Sequence, residues 1–118
     1  MDSLILGEKI EALRRCVQRV EAKRVESPDL LRADPDRQDI ISLNLTRAVQ
    51  LCVDMAVHVL VDTAQPAPQT MGEAFDLLAA EGIVTESLAA RMRSAVGFRN
   101  VAVHSYQAID WDIVHTIT

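Results

Sequence analysis

The stretch Gly97-Phe98-Arg99-Asn100-Val101-Ala102-Val103-His104-Ser105-Tyr106 places an Arg, an Asn, a His and a Tyr inside an otherwise apolar segment. Those residue types suit phosphodiester cleavage. An imidazole titrates near neutrality, so His104 can take a proton from a ribose 2′-hydroxyl or return one to a leaving oxygen. The Arg99 guanidinium can stabilise charge on phosphoryl oxygens through a forked contact. Asn100 can orient either group. The sequence has no carboxylate cluster of the kind that holds Mg²⁺, so the reading calls for no metal and no cofactor. The plainer reading of the same residues is a helix-capping His and an ion-paired Arg.

Spacing sets a condition on the chemical reading. In a regular helix Arg99 and Tyr106, seven apart, share a face, whereas His104 lies about 140° round from Arg99. Arg99 and His104 therefore converge only if the chain bends near Gly97–Asn100, or if two subunits pair their segments.

The elements that must position this segment are helical. Apolar residues at helical spacing (Leu4, Ile5, Ile10, Leu13, Cys16, Val17, Val20) predict a helix over 4–25, ended by Ser27-Pro28. Residues 28–38, with two prolines and three aspartates, read as a polar connection. Residues 39–61 form the strongest helix, with Asp39 as its N-cap or in its first turn. It is apolar over most of its circumference, but Asn44, Arg47, Gln50, Asp54 and His58 fall within an arc of about 120°. That stripe is either solvated and self-satisfied or faces a shared groove, with Asp54 and His58 one turn apart on it. Thr70 can cap a helix over 71–81, with Glu73 as its capping-box partner and Glu81-Gly82 as the stop. Thr85–Val96 is a fourth helix, with Thr85, Glu86 and Ser87 as cap candidates, broken or bent at Gly97. A last segment over 99–117 is still apolar where the chain stops, which suggests a truncated or short C-terminal helix. Trp111 and His115 read as packing or surface residues.

Composition narrows the class. The chain has 118 residues, 49% hydrophobic and 25% charged, enough for a single domain over 1–118 with one core. Disorder is excluded, and 3% aromatics with no alternating segment argue against a β-sandwich or barrel. The result is an all-α, up-down helical bundle. A net charge of −5 rules out general electrostatic binding to nucleic acid, so any positive charge offered to RNA must be local or shared with a partner. Cys16 and Cys52 lie in apolar helical patterns without metal-type spacing and read as buried, reduced thiols. Charges at Asp2, Glu8, Lys9 and Glu11 leave no signal-peptide stretch, and no membrane is implied, so the default location is the cytoplasm.

The pattern Arg99-Asn100-x-x-x-His104-x-Tyr106 after Gly97-Phe98 resembles the signature of the HepT toxins, within the HEPN superfamily of all-α ribonucleases. The upstream helix carrying Asp54 and the pair Ile109-Asp110 extend the likeness along most of the chain. The resemblance implies a HEPN-like bundle, a homodimer whose motif segments face each other across a cleft, and a metal-independent endoribonuclease. It further implies the toxin of a type II-like toxin–antitoxin system, partnered by an MntA-type minimal nucleotidyltransferase antitoxin. That antitoxin would add AMP to Tyr106, and the added bulk and negative charge would block substrate and engage Arg99. Asp54, Arg47 and His58 are then candidates to support the cleft. Two other readings stay open: a non-catalytic module that holds nucleotide or substrate for a nucleotidyltransferase, and a plain dimeric scaffold.

Overall fold

The computed structural model describes residues 3–118. Six α-helices follow in order: α1 (Ser3–Lys23), α2 (Pro28–Arg32), α3 (Pro35–Leu60), α4 (Met71–Ala80), α5 (Glu86–His104) and α6 (Trp111–Ile117). A single 3-10 turn, Tyr106–Ala108, separates α5 from α6. The body is elongated, 48 × 26 × 24 Å. Its long axis follows from α3, which at 1.5 Å per residue is about 39 Å long.

Helix α3 is the spine, and two apolar clusters sit at its two ends. Its C-terminal half contributes Val49, Val53, Ala56 and Leu60, which pack with Ala74, Phe75 and Leu78 of α4 and Ala89 and Val96 of α5. Its N-terminal half contributes Ile41, which packs with Val20 of α1, Leu31 of α2, and Ile109 and Val114 near the C-terminus. Leu31, Ile41 and Val114 are the largest side chains sealed from solvent. The second cluster matters for function because it anchors the chain on the far side of the motif. Length and composition alone would let α3 cross a membrane, but its apolar residues build these two clusters.

The segment 28–38 departs from the polar connection read from the sequence. It holds α2 and the first turn of α3. Ser27 and Asp34 each sit directly before a proline, and each side chain accepts from a backbone N–H three residues on. A cap followed by proline at the first helical position starts a helix, because proline's missing N–H is one the helix would leave unpaired anyway. Pro28, expected to end α1, and Pro35, expected in a polar connection, both start helices. The cap of α3 is therefore Asp34, which leaves Asp39 in the second turn. Thr70 caps α4, and of the three candidates Thr85 caps α5, accepting from Glu73 N–H at 3.1 Å and Leu88 N–H at 3.0 Å. Gly82, at φ +73°, ends α4. The Gly82 and Ile83 N–H groups donate back to the carbonyls of Ala79 and Leu78, the paired closing bonds that a left-handed residue permits.

The break expected at Gly97 does not occur: α5 runs unbroken to His104. A Cβ at Gly97 would meet nothing within 4 Å, so the glycine answers no local steric need, and one glycine costs a helix only about 1 kcal/mol. The chain turns instead at Ser105 (φ −149°, ψ 56°), which divides the single segment expected over 99–117 into the end of α5, the 3-10 turn and α6. Cys16 and Cys52 are both free thiols, and burial pushes the Cys52 thiol up.

Candidate active site at the end of α5

The four motif residues sit at one exposed corner, where α5 ends and the chain turns. Arg99 lies one and a half turns before the helix end, and His104 is its last residue. Ser105 N–H closes the helix on the Val101 carbonyl at 2.8 Å, and the 3-10 turn then carries Tyr106 off the helix axis. Tyr106 therefore does not share the helical face with Arg99 that a regular helix would give it. The turn is fixed from below. Ile109 and Val114 enter the second apolar cluster, and Trp111 meets the Tyr106 ring edge-to-face at 5.8 Å. His115, expected as a packing or surface residue, has its Nε2 2.9 Å from the Val25 carbonyl oxygen, tying α6 to the chain just after α1.

Each functional side chain has a distinct environment. His104 is exposed, with its ring free of hydrogen bonds to other described residues. Arg99 is half-buried. One of its terminal nitrogens donates to Asn100 Oδ1 at 3.0 Å, while its Nε is sealed from solvent and has no hydrogen-bond partner. A buried donor left unpaired costs about 1–3 kcal/mol, more on a charged group. Asn100 is exposed and, through this bond, orients the guanidinium. No hydrogen bond joins Arg99 to His104 among the described residues. On an unbroken helix they leave in directions about 140° apart.

Tyr106 is held by a residue the sequence reading placed elsewhere. Its hydroxyl donates to Asp39 Oδ1 at 2.5 Å, across 67 residues of chain. Partial burial and the Asp39 carboxylate together push the phenol up to about 12. Both effects disfavour the phenolate, the first by removing water and the second by stabilising the O–H donor and repelling a second negative charge. Asp39 was read only as a helix-starting acid. No local spacing could have paired it with Tyr106, because their meeting depends on how α3 and the 3-10 turn share the second cluster.

The polar stripe of α3 faces α1. Asp54 is taken up there, accepting from Gln50 Nε2 at 2.9 Å and pairing with Lys9 at 3.5 Å. Asn44 is buried and donates to the Ile40 carbonyl at 2.8 Å. His58 keeps a sealed Nε2 without a partner. Arg47 lines the groove between α1 and α3. None of Asp54, Arg47 and His58 hydrogen-bonds to the Arg99–Tyr106 segment. No group of three or more His, Cys, Asp or Glu converges among the described residues.

An all-α bundle with Arg99, His104 and Tyr106 near the end of one helix is the arrangement expected from the resemblance to HEPN ribonucleases. The chain matches the family described as "Ribonuclease HepT-like" over residues 6–118, and it belongs to that family. It is 33% identical over 114 residues to the mRNA nuclease HepT of Shewanella oneidensis, covering 97% of this chain and 84% of that one. Among solved structures it is similar to the tri-AMPylated Shewanella oneidensis HEPN toxin in complex with MNT antitoxin (TM-score 0.89, 32% identity, 99% of this chain and 86% of that one). It is also similar to a toxin–antitoxin solved with AMP-PNP (TM-score 0.88, 32% identity, 96% and 85% covered). The expected HEPN-like, all-α fold is thus borne out.

Proposed function

We propose that this chain is the ribonuclease toxin of a toxin–antitoxin pair. It acts in the cytoplasm as a homodimer and is silenced by AMP added to Tyr106. The observation that carries the reading is the unbroken α5: one chain holds Arg99 and His104 about 140° apart, so a cleft that uses both is built from two copies. The faces beside the motif support pairing. Val103, Ile113 and Ile117 are 49%, 58% and 48% exposed, apolar area that a second copy would cover.

In this reading His104 takes the 2′-hydroxyl proton of the substrate ribose as that oxygen attacks the adjacent phosphorus. The bond to the 5′-oxygen breaks, and the second copy's His104 protonates the departing oxygen. Two Arg99 side chains, each steered by Asn100, offset the charge developing on the phosphoryl oxygens. Proton transfer by imidazole and charge stabilisation by guanidinium complete the step without a metal.

Silencing follows from the same corner. The Tyr106 hydroxyl attacks the α-phosphorus of ATP held by the antitoxin, a nucleotidyltransferase of the MntA type. A Tyr–O–P bond forms, the bond to the bridging oxygen breaks, pyrophosphate leaves, and the phenolic proton passes to Asp39, which already accepts it in a hydrogen bond. The added phosphate sits two residues along the chain from His104 and brings negative charge for the Arg99 guanidinium to engage. Intact-protein mass spectrometry after incubation with the nucleotidyltransferase and ATP tests the reading. A gain in AMP units that disappears in Tyr106→Phe, together with loss of RNA cleavage, is expected. An unchanged mass with a transferase active on other acceptors would refute the silencing mechanism.

A further inference from the structure

We infer that the groove between α1 and α3 binds the phosphodiester backbone of the RNA strand beyond the cleavage site. The inference deepens the ribonuclease reading and rests on it. The groove encloses about 610 Å³, and three arginines line it: Arg15 and Arg19 on α1, and Arg47 on α3. Among the described residues no Asp or Glu lines it, in a chain with 17 acidic and 12 basic side chains. Arg15 and Arg19 are one helical turn apart and project from one face, with Arg47 opposite. All three are exposed, and none is ion-paired among the described residues. This distinguishes them from Arg14, Arg32, Arg37 and Arg93, each held by an aspartate or glutamate. Three guanidiniums without an ion-pair partner among the described residues line this one groove, a setting that suits an anion. Guanidinium is the side chain whose fork fits phosphate.

Position ties the groove to the reaction. Its α3 wall begins at Ile40, the neighbour of Asp39, which holds Tyr106. Arg47 lies eight residues beyond Asp39, about 12 Å along the helix axis. A strand leaving the motif corner along α3 meets the arginines next. Gln50, also in the lining, closes the path, its amide Nε2 held by the Asp54 carboxylate. The local positive charge that a net −5 molecule needs for RNA is thereby present in one place.

The test uses the full chain and a fluorescent single-stranded RNA with every ribose 2′-O-methylated, so that it binds without being cut. Affinity is read by anisotropy across a salt series. Each phosphate contact on a single strand contributes about −0.7 to the slope of log affinity against log salt. Replacing all three arginines by Gln is expected to reduce the slope by about 2. Wild type should then lose about 20-fold more affinity than the variant between about 50 and 200 mM salt. The three Arg→Lys replacements together keep the slope, and single Arg→Gln changes each remove about 0.7, so a misfolded triple variant does not decide the matter. Cleavage of a dinucleotide too short to reach the groove stays at the wild-type rate in every variant. An unchanged slope in Arg→Gln variants of a protein that binds and cleaves RNA overturns the groove assignment alone. The same result, with binding to the antitoxin lost instead, reassigns the groove to a protein surface. A wild type that neither binds nor cleaves any RNA overturns the ribonuclease reading and the groove with it.

Discussion

Replacing Asp39 by Asn removes the charge facing the Tyr106 hydroxyl while leaving the bulk of the side chain in place. The chain has a single tyrosine, so its ultraviolet phenolate absorbance reports this one group. Burial, the hydrogen bond to Asp39 and the Asp39 charge, in that order, push Tyr106 up to about 12 from an ordinary 10. At pH 11 the wild-type phenol is then about one-tenth ionised, by the one-unit distance from its midpoint. Asp39→Asn keeps the burial and loses the carboxylate, so its midpoint falls between 10 and 12. Ionisation at pH 11 rises to between about one-tenth and about nine-tenths, according to how much of the shift the carboxylate carries. The raised phenol contributes stability that is whole below pH 10 and is lost as pH rises through about 12. Circular dichroism at each pH separates titration from unfolding. Trp111, 5.8 Å away and the only tryptophan, gives a second readout through quenching by the phenolate. A wild-type midpoint at 10, or an Asp39→Asn midpoint identical to wild type, refutes the argument that Asp39 holds this tyrosine.

Other consequences follow from the packing. Leu31→Ala empties a fully sealed position in the cluster that seats α6 and should cost about 2–5 kcal/mol by chemical denaturation; a loss under 1 kcal/mol would mean that the cluster is loosely packed. Thr85→Ala removes the cap of α5 and should cost about 1 kcal/mol in the same assay. Gly97→Ala should raise the melting temperature, through a gain of up to about 1 kcal/mol, because the new methyl meets nothing. A fall would reveal a close approach at Gly97 by a second chain. Cys16, which is buried, should react with a disulfide reagent only after unfolding.

The helices were legible because their signals are local. Apolar spacing located α1 and α3, and Thr70 and Thr85 marked the starts of α4 and α5 through a single side chain each. The errors came where one local signal has two meanings. Pro28 and Pro35 stop a preceding helix and also start the next, and the cap in front of each decides which. Gly97 weakens a helix without ending one when the hydrogen-bond ladder continues on both sides. The site was legible as a motif, since Arg99, Asn100, His104 and Tyr106 lie within eight residues. Its tertiary partner was not. Asp39 reaches Tyr106 only because Leu31, Ile41, Ile109 and Val114 draw distant segments together, and the pairing of two residues 67 apart leaves no periodicity to read.

The account turns on His104 as a proton-transferring group. The direct measurement is cleavage of a mixed RNA pool by the purified chain, free of its antitoxin and in the presence of EDTA, beside His104→Ala. His104 is exposed and outside both apolar clusters, so the variant should melt like wild type. Wild type should cleave, and the variant should be slower by about 10²–10⁴, the usual worth of a general acid or base. Equal rates for the two proteins, or a wild type that needs a divalent metal to act, would contradict the mechanism.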